Sequence, residues 1–352
     1  MTAPPSADAT DSPYPAVGAP WSATSWRRQA QEWIADRLAA GSGRRVTGPV
    51  EPRVRPWSVV WRVPTDAGPV WFKANNPATR YEVPLVATLA RIAPEALLTP
   101  LAVDVERGWT LLPDGGPTLR AVLGSDGRTA AAQGRPGLAR WEHALAGYAA
   151  LQLASAPHVG ELLALGVPDH RPTALPDLLD DLLDDATALR AGEDDGLTAD
   201  AYERLRAYRP SFVELCVRLA ESGLPATVQH DDLHDGNVFA TATGYRFFDW
   251  GDASVAHPLG TLLVTLRSVA YAFDLPPGDP ALLRLRDAYL EPWTDRHDRR
   301  DLRAAVAPAM TVTKVSRALS WRRAVDTGDP ARDGYVAAVP GWLTELFEPD
   351  PV

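Results

Sequence analysis

The feature that most constrains this chain's fold is a change of periodicity at Pro113-Asp114-Gly115-Gly116. Ahead of it lie short runs rich in β-branched and aromatic residues, and behind it apolar residues recur at helical spacing. In the front part, Trp26, Ala30, Trp33, Ile34 and Leu38 form one helical stripe, with Ser25 available as its cap and Gly41 as its stop. Residues 57–63 and 70–74 read as two strands around a turn at 64–68, with Lys73 on the second. A helix follows over 79–93, where Glu82 lies at the start and Pro84 fits only because it falls in the first turn. Two more strands are expected at 101–105 and 108–112. Beyond the break, helical patterns occupy 138–153, 175–189, 199–221, 259–272, 281–290 and 302–324, and only 228–248 returns to strand character.

These periods predict an α+β, bilobal architecture. A small β-rich lobe spans 21–113 and a larger, mainly helical lobe spans 114–352, with residues 1–20 as a disordered, proline-rich tail. A site for a small ligand is expected in the cleft between the lobes. No stretch has the basic, then apolar, pattern of a secretory signal, and none has the length and hydrophobicity of a membrane span. Cys216 is the single cysteine and permits no internal disulfide, which fits a cytoplasmic protein. With 45 acidic against 35 basic residues the net charge is −10, so a nucleic-acid partner would be repelled at long range. The partner these features favour is a small molecule.

The basic residues carry a further signal, because all but Lys73 and Lys314 are arginine. A lysine that persists in such a chain marks a place where a compact ammonium is wanted and a planar guanidinium is not. Lys73, on an apolar strand shortly before Glu82, fits that reading. Lys314 falls on a polar helical face and carries no functional expectation.

The chemistry concentrates in Val228-Gln229-His230-Asp231-Asp232-Leu233-His234-Asp235-Gly236-Asn237-Val238-Phe239. Given 7 histidines and 352 residues, with Asp and Asn at their observed frequencies, chance supplies about 0.005 strings of the form His-x-Asp-x-x-x-x-Asn. Twelve residues after Asn237, an apolar run ends at Asp249-Trp250, and a turn at 241–244 would bring Asn237 and Asp249 together. Their oxygens are hard ligands suited to Mg²⁺, and Asp232 is then placed to receive a proton from an attacking hydroxyl. His230 is expected to brace the loop rather than to react.

These residues resemble the aminoglycoside phosphotransferase and choline kinase group of small-molecule kinases, which share a protein-kinase-like bilobal fold. Its catalytic loop typically reads His-Gly-Asp-Leu-His-x-Gly-Asn, and the corresponding segment here is His230 to Asn237. The resemblance implies that Asp232 is the catalytic aspartate, that Asn237 and Asp249 hold Mg²⁺, and that Lys73, paired with Glu82, holds the phosphates of ATP. It also implies an adenine-contacting hinge at Leu111, Leu112 and Asp114. The activity implied is transfer of the γ-phosphate of ATP to a hydroxyl of a small molecule, such as an aminoglycoside, sugar or amino alcohol. Asp231 stands where the group has glycine and is expected to face outward, and Pro113 removes a backbone donor from the hinge.

Two other readings compete. A catalytically silent ATP-binding module would have no need of Asp232, and a zinc site at His230, Asp232 and His234 lacks a helical pair of histidines or a cysteine cluster. The acids Asp177, Asp180, Asp181, Asp184 and Asp185 lie opposite a leucine stripe and read as a solvated helix face. The 12 tryptophans are expected mostly in the core.

Overall fold

Short runs rich in β-branched and aromatic residues build the first layer. The computed structural model describes residues 20–125, 135–325 and 334–352. In it β1 (Glu51–Val54), β2 (Ser58–Val63), β3 (Val70–Asn75), β4 (Ala102–Asp104) and β5 (Trp109–Pro113) form an antiparallel sheet of order β1-β2-β3-β5-β4. Val59, Trp61, Val63, Val70, Phe72 and Ala74 are buried on one face, as the two-residue period of a strand requires. That face is covered by α1 (Thr24–Ser42), whose buried Ala30, Trp33, Ile34 and Leu38 share one side of the helix. Trp26 meets the Trp61 ring edge-on at 5.6 Å, and Trp33 meets Trp109 at the same distance. Aromatic edges account for much of this small core.

The ends of α1 differ from expectation. Ala23, not Ser25, occupies its N-cap without a side-chain hydrogen bond, and the helix runs through Gly41 to stop at Gly43, whose φ of 67° is left-handed. Of the expected tail, 1–19 lie outside the described residues, and Pro20 opens a short 3-10 turn. Trp57 and Trp71 are only partly buried, in contrast to Trp61. Trp71 lies on the Lys73 face of β3, away from α1, and Trp57, just ahead of β2, meets the Trp321 ring edge-on at 5.7 Å.

The second layer is helical. It comprises α2 (Glu82–Ile92), then α3 (Leu119–Ser125), α4 (Arg135–Ser155), α5 (Val159–Ala164), α6 (Leu175–Leu183), α7 (Ala199–Ala220), α8 (Leu262–Phe273), α9 (Pro280–Leu290), α10 (Arg299–Val325) and α11 (Ala338–Thr344). Short strands are set among them: β6 (Asp169–His170), β7 (Thr227–Gln229) and β10 (Ser254–Ala256) make a small sheet, and β8 (Val238–Thr241) with β9 (Gly244–Phe247) makes a hairpin. Although α2 precedes the break at 113, its Leu85, Val86 and Leu89 pack into the large core together with Trp141, Leu145 and Trp250. Each fully buried leucine there contributes about 1.5–3 kcal/mol. Glu82, at the start of α2, is thereby fixed to the helical lobe as well as to the sheet.

The expected helix over 175–189 ends at Leu183. Asp180, Asp184 and Asp185 of that region are paired with Arg209, Arg206 and Arg322, so part of the supposed solvated face is an ion-paired seam to α7 and α10. Lys314 is a clearer correction. It is 1% exposed, donates to the Glu348 carbonyl at 3.0 Å and pairs with Asp350 at 3.0 Å, pinning the chain's C-terminal stretch to α10. Among the described residues no helix is long and apolar enough to cross a membrane.

Candidate active site

Lys73 reaches the site because it alternates with the core residues of β3. Phe72 and Ala74 point toward α1, so Lys73 projects from the opposite face, in register with Thr110 of β5. Its Nζ lies 2.8 Å from Glu82 Oε1, 2.7 Å from Glu82 Oε2 and 2.6 Å from Asp249 Oδ1. Burial works against the charge on Lys73, but the carboxylates of Asp249 and Glu82 outweigh it and hold the ammonium's pKa above its ordinary value. Glu82 is 4% exposed, and loss of solvation raises its pKa despite the neighbouring lysine. It is further held by Asn75 Nδ2 at 2.8 Å and by the Trp250 backbone N–H at 3.0 Å.

The β8–β9 hairpin brings Asn237 and Asp249 to the same end. Val238 pairs with Phe247, and one residue further out the Phe248 N–H donates to the Asn237 carbonyl at 3.1 Å. Asp249 adopts a φ of 66°, a left-handed conformation that costs about 1–2 kcal/mol for a residue with a Cβ. Its neighbours hold it there. His230 Nε2 donates to the Phe248 carbonyl at 2.9 Å, and the His230 ring lies 4.7 Å from that of Trp250. Because a carbonyl only accepts, Nε2 carries the proton, and burial keeps the imidazole pKa below its usual value. This neutral histidine braces the turn that presents Asp249. For the zinc alternative, no three His, Cys, Asp or Glu side chains among the described residues stand close enough to share a metal ion.

Asp232 retains about a third of its side-chain exposure. Arg317 Nη2 lies 3.3 Å from its Oδ1, and His234 Nε2 lies 3.5 Å from its Oδ2. Loss of solvation opposes its charge, but the Arg317 guanidinium and then His234 hold its pKa well below the usual carboxylate range. Asn237 Nδ2 donates to the Asp232 carbonyl at 3.0 Å, which orients the amide and keeps Oδ1 as its acceptor end. Two hard oxygens, Asn237 Oδ1 and the carboxylate of the half-exposed Asp249, are thus offered by adjacent ends of one hairpin. Such a donor set fits Mg²⁺, which takes few protein oxygens and completes its shell with phosphate and water.

Asp231 does not face outward. It is 3% exposed, has a φ of 61°, and its Oδ2 accepts from Ser254 Oγ at 2.6 Å and Ser316 Oγ at 3.0 Å. The left-handed backbone turns its side chain under the loop while Asp232 stays on the open side. Burial pushes the Asp231 pKa up to about 6.

The hinge residues divide between the two faces of β5. Leu111 is fully buried in the core against α1, and its carbonyl accepts from the Leu101 N–H at 2.7 Å. Its side chain therefore points away from Lys73. Leu112, opposite Trp71, shares the Lys73 face, and Asp114 Oδ1 accepts from Trp71 Nε1 at 3.1 Å. Close by, Phe239 stacks on Phe248 at 4.0 Å, and Gly115 packs so closely on Phe239 that a Cβ would lie 2.4 Å from its ring. Sequence reasoning passed over Phe239, Phe248 and Arg317. The first two carried a signal in their proximity to Asn237 and Asp249; Arg317 carried none.

Among curated proteins, none matches the chain by sequence. Of the solved structures, a choline kinase from Cryptosporidium parvum superposes with a TM-score of 0.60 at 12% identity, covering 90% of this chain and 94% of its own. A choline/ethanolamine kinase family protein from Mesorhizobium loti gives 0.56 at 18% identity, covering 91% and 95%. A choline kinase from Streptococcus pneumoniae gives 0.56 at 13% identity, covering 90% and 99%. At such identities these likenesses establish the bilobal kinase-like fold. The model of the Phosphotransferase enzyme family matches residues 49–302, which include Lys73, Glu82, His230, Asp232, Asn237 and Asp249 but neither Ser316 nor Arg317. The chain belongs to the Phosphotransferase enzyme family.

Proposed function

We propose that this chain is an ATP- and Mg²⁺-dependent kinase that transfers the γ-phosphoryl group of ATP to a hydroxyl of a small molecule. The observation that carries the reading is the convergence of Lys73, Glu82 and Asp249 beside a loop that offers Asp232 and Asn237. A silent nucleotide-binding module would have no use for the partly exposed carboxylate of Asp232.

The roles follow from charge and position. Lys73, kept protonated by two carboxylates, neutralises phosphate charge, and Glu82 fixes its location. Asn237 and Asp249 would hold Mg²⁺, which when bound supplies charge compensation for the β- and γ-phosphates. Asp232 accepts a hydrogen bond from the acceptor hydroxyl and aims it in line with the γ-phosphorus. With its pKa depressed, Asp232 is a weak base, so it orients the hydroxyl first and takes the proton only as the new P–O bond forms. The bond between the γ-phosphorus and the β–γ bridging oxygen breaks, and ADP carries away the electron pair. In this reading the purine lies on the Lys73 face of the sheet near Leu112, with Phe239 as its apolar floor; the strand register that puts Leu112 on that face and the stack of Phe239 on Phe248 support it.

The acceptor is an alcohol of the size of an amino sugar, sugar or amino alcohol. An ADP-release screen over such compounds and hydroxylated antibiotics, each with Mg²⁺ and ATP, tests the proposal. Acceptor-dependent ADP release by the native protein, lost in Asp232→Asn, is expected. ATP binding with no ADP release across the panel would favour the silent module.

A further inference from the structure

Helix α10 lies almost entirely beyond the matched residues, yet its polar contacts run under the whole site. On successive turns, Ser316 Oγ donates to Asp231 Oδ2 at 3.0 Å, Arg317 reaches Asp232 and Asp252, Ser320 Oγ donates to the Asp252 carbonyl at 3.4 Å, and Arg323 Nη2 donates to the Tyr81 hydroxyl at 3.1 Å. The Tyr81 hydroxyl in turn lies 2.5 Å from the Gly251 carbonyl and 3.1 Å from that of Ala253. One helical face thus touches the catalytic loop, the turn after Asp249 and the residue that precedes Glu82.

Arg317 is the centre of this face. It is 3% exposed, with Nη1 2.8 Å from Asp252 Oδ2 and Nη2 3.3 Å from Asp232 Oδ1. Its guanidinium carbon lies 5.5 Å from the centre of the Trp342 ring, and the same ring has Arg267 at 5.4 Å. A planar fork held by packing can fix two carboxylates in one geometry, whereas an ammonium on a flexible stem cannot. The two carboxylates belong to segments 20 residues apart, one carrying Asp232 and the other following Asp249.

Resting on the kinase reading above, we propose that Arg317 is the positioning residue for Asp232. It occupies Oδ1 and so presents Oδ2, the oxygen nearer His234 and Asn237, to the acceptor hydroxyl. By gripping Asp252 as well, it fixes the distance between that oxygen and the Asp249 turn. Arg317 touches neither nucleotide nor acceptor in this account; it acts through Asp232. Its segment, outside the matched family residues, would then supply part of the catalytic alignment in this chain.

The test compares the native protein with Arg317→Lys, Arg317→Met and the charge-balanced pair Arg317→Met with Asp252→Asn, which guards against simple failure to fold. Crystal structures with Mg²⁺ and ADP report the Asp232 side chain, and steady-state kinetics use the acceptor found in the ADP-release screen. In both Met variants Asp232 should leave its rotamer while the contacts of Lys73 with Glu82 are retained. Misalignment of this kind lowers kcat about 10²-fold with KM for ATP changed by less than about twofold, and Arg317→Lys recovers only part of the loss. An unmoved Asp232 carboxylate in a folded Met variant, or an unchanged kcat, would overturn the proposal. Absence of any turnover in the native protein counts against the kinase reading alone, since the Asp232 position still decides the role of Arg317.

Discussion

Lys73 Nζ lies 2.6 Å from Asp249 Oδ1 although 176 residues of chain separate them. The contact joins the third strand of the sheet to the turn that follows the β8–β9 hairpin, and Glu82 completes it from the helix between. Three carriers of charge from three elements meet where the sheet faces the helical lobe. A loop rearrangement in either lobe would be felt by all three.

Replacing Lys73 by Met removes the ammonium and leaves Glu82 buried among few alternatives. The kcat/KM for ATP is expected to fall about 10²- to 10³-fold, in the range seen when one preorganised charge donor is lost. Steady-state kinetics at varied ATP measure it. Retention of native kcat/KM would place the nucleotide phosphates elsewhere.

Asp231 gives the protein a calculable pH dependence. Its carboxyl is raised from an ordinary value of 3.8 to about 6 by burial, so its protonated form favours the folded state. Stability from this group is fully present below the unfolded pKa and is lost as pH rises through about 6, by about 3 kcal/mol in all. Asp231→Asn keeps an acceptor for Ser254 and Ser316 and removes the titration. Urea unfolding of both proteins at acid and neutral pH should show the variant gaining on the native protein as pH rises. Parallel pH profiles would contradict the assignment.

Gly115 abuts the Phe239 ring, with 2.4 Å left for any added Cβ. Gly115→Ala must push Phe239 off its stack with Phe248, at a cost of about 1–3 kcal/mol for overpacking. Weaker ADP binding by calorimetry should accompany the lower melting temperature. A variant that loses stability but binds ADP as the native protein does would remove Phe239 from the nucleotide floor.

What the sequence reveals here is what local pattern can encode. The β-branched and aromatic run from Val59 to Val63 is sufficient to place β2, and the two-residue period on β3 turns Lys73 away from the core. The rarity of lysine and the density of His, Asp and Asn at 230–237 then direct attention to side chains that the fold gathers. Arg317 escapes that logic. It is one arginine in a chain rich in them, its partner Asp232 lies 85 residues away, and a polar stripe that faces buried carboxylates has the same period as one that faces water. Lys314 is misread for that reason too. Asp231 depends on a positive φ that its residue type does not announce, and on Ser316 from a distant helix. Burial of polar groups is decided by tertiary partners, which periodicity does not record.

The central claim is phosphoryl transfer to an alcohol under the control of Asp232. Its most direct measurement is phosphorus NMR of an acceptor incubated with Mg²⁺, ATP and the protein, run beside Asp232→Ala. The account predicts a phosphomonoester resonance that grows as ADP forms with the native protein, and a rate about 10²- to 10⁴-fold lower with the variant at unaltered ADP affinity. Equal rates of ester formation by the two proteins would contradict it.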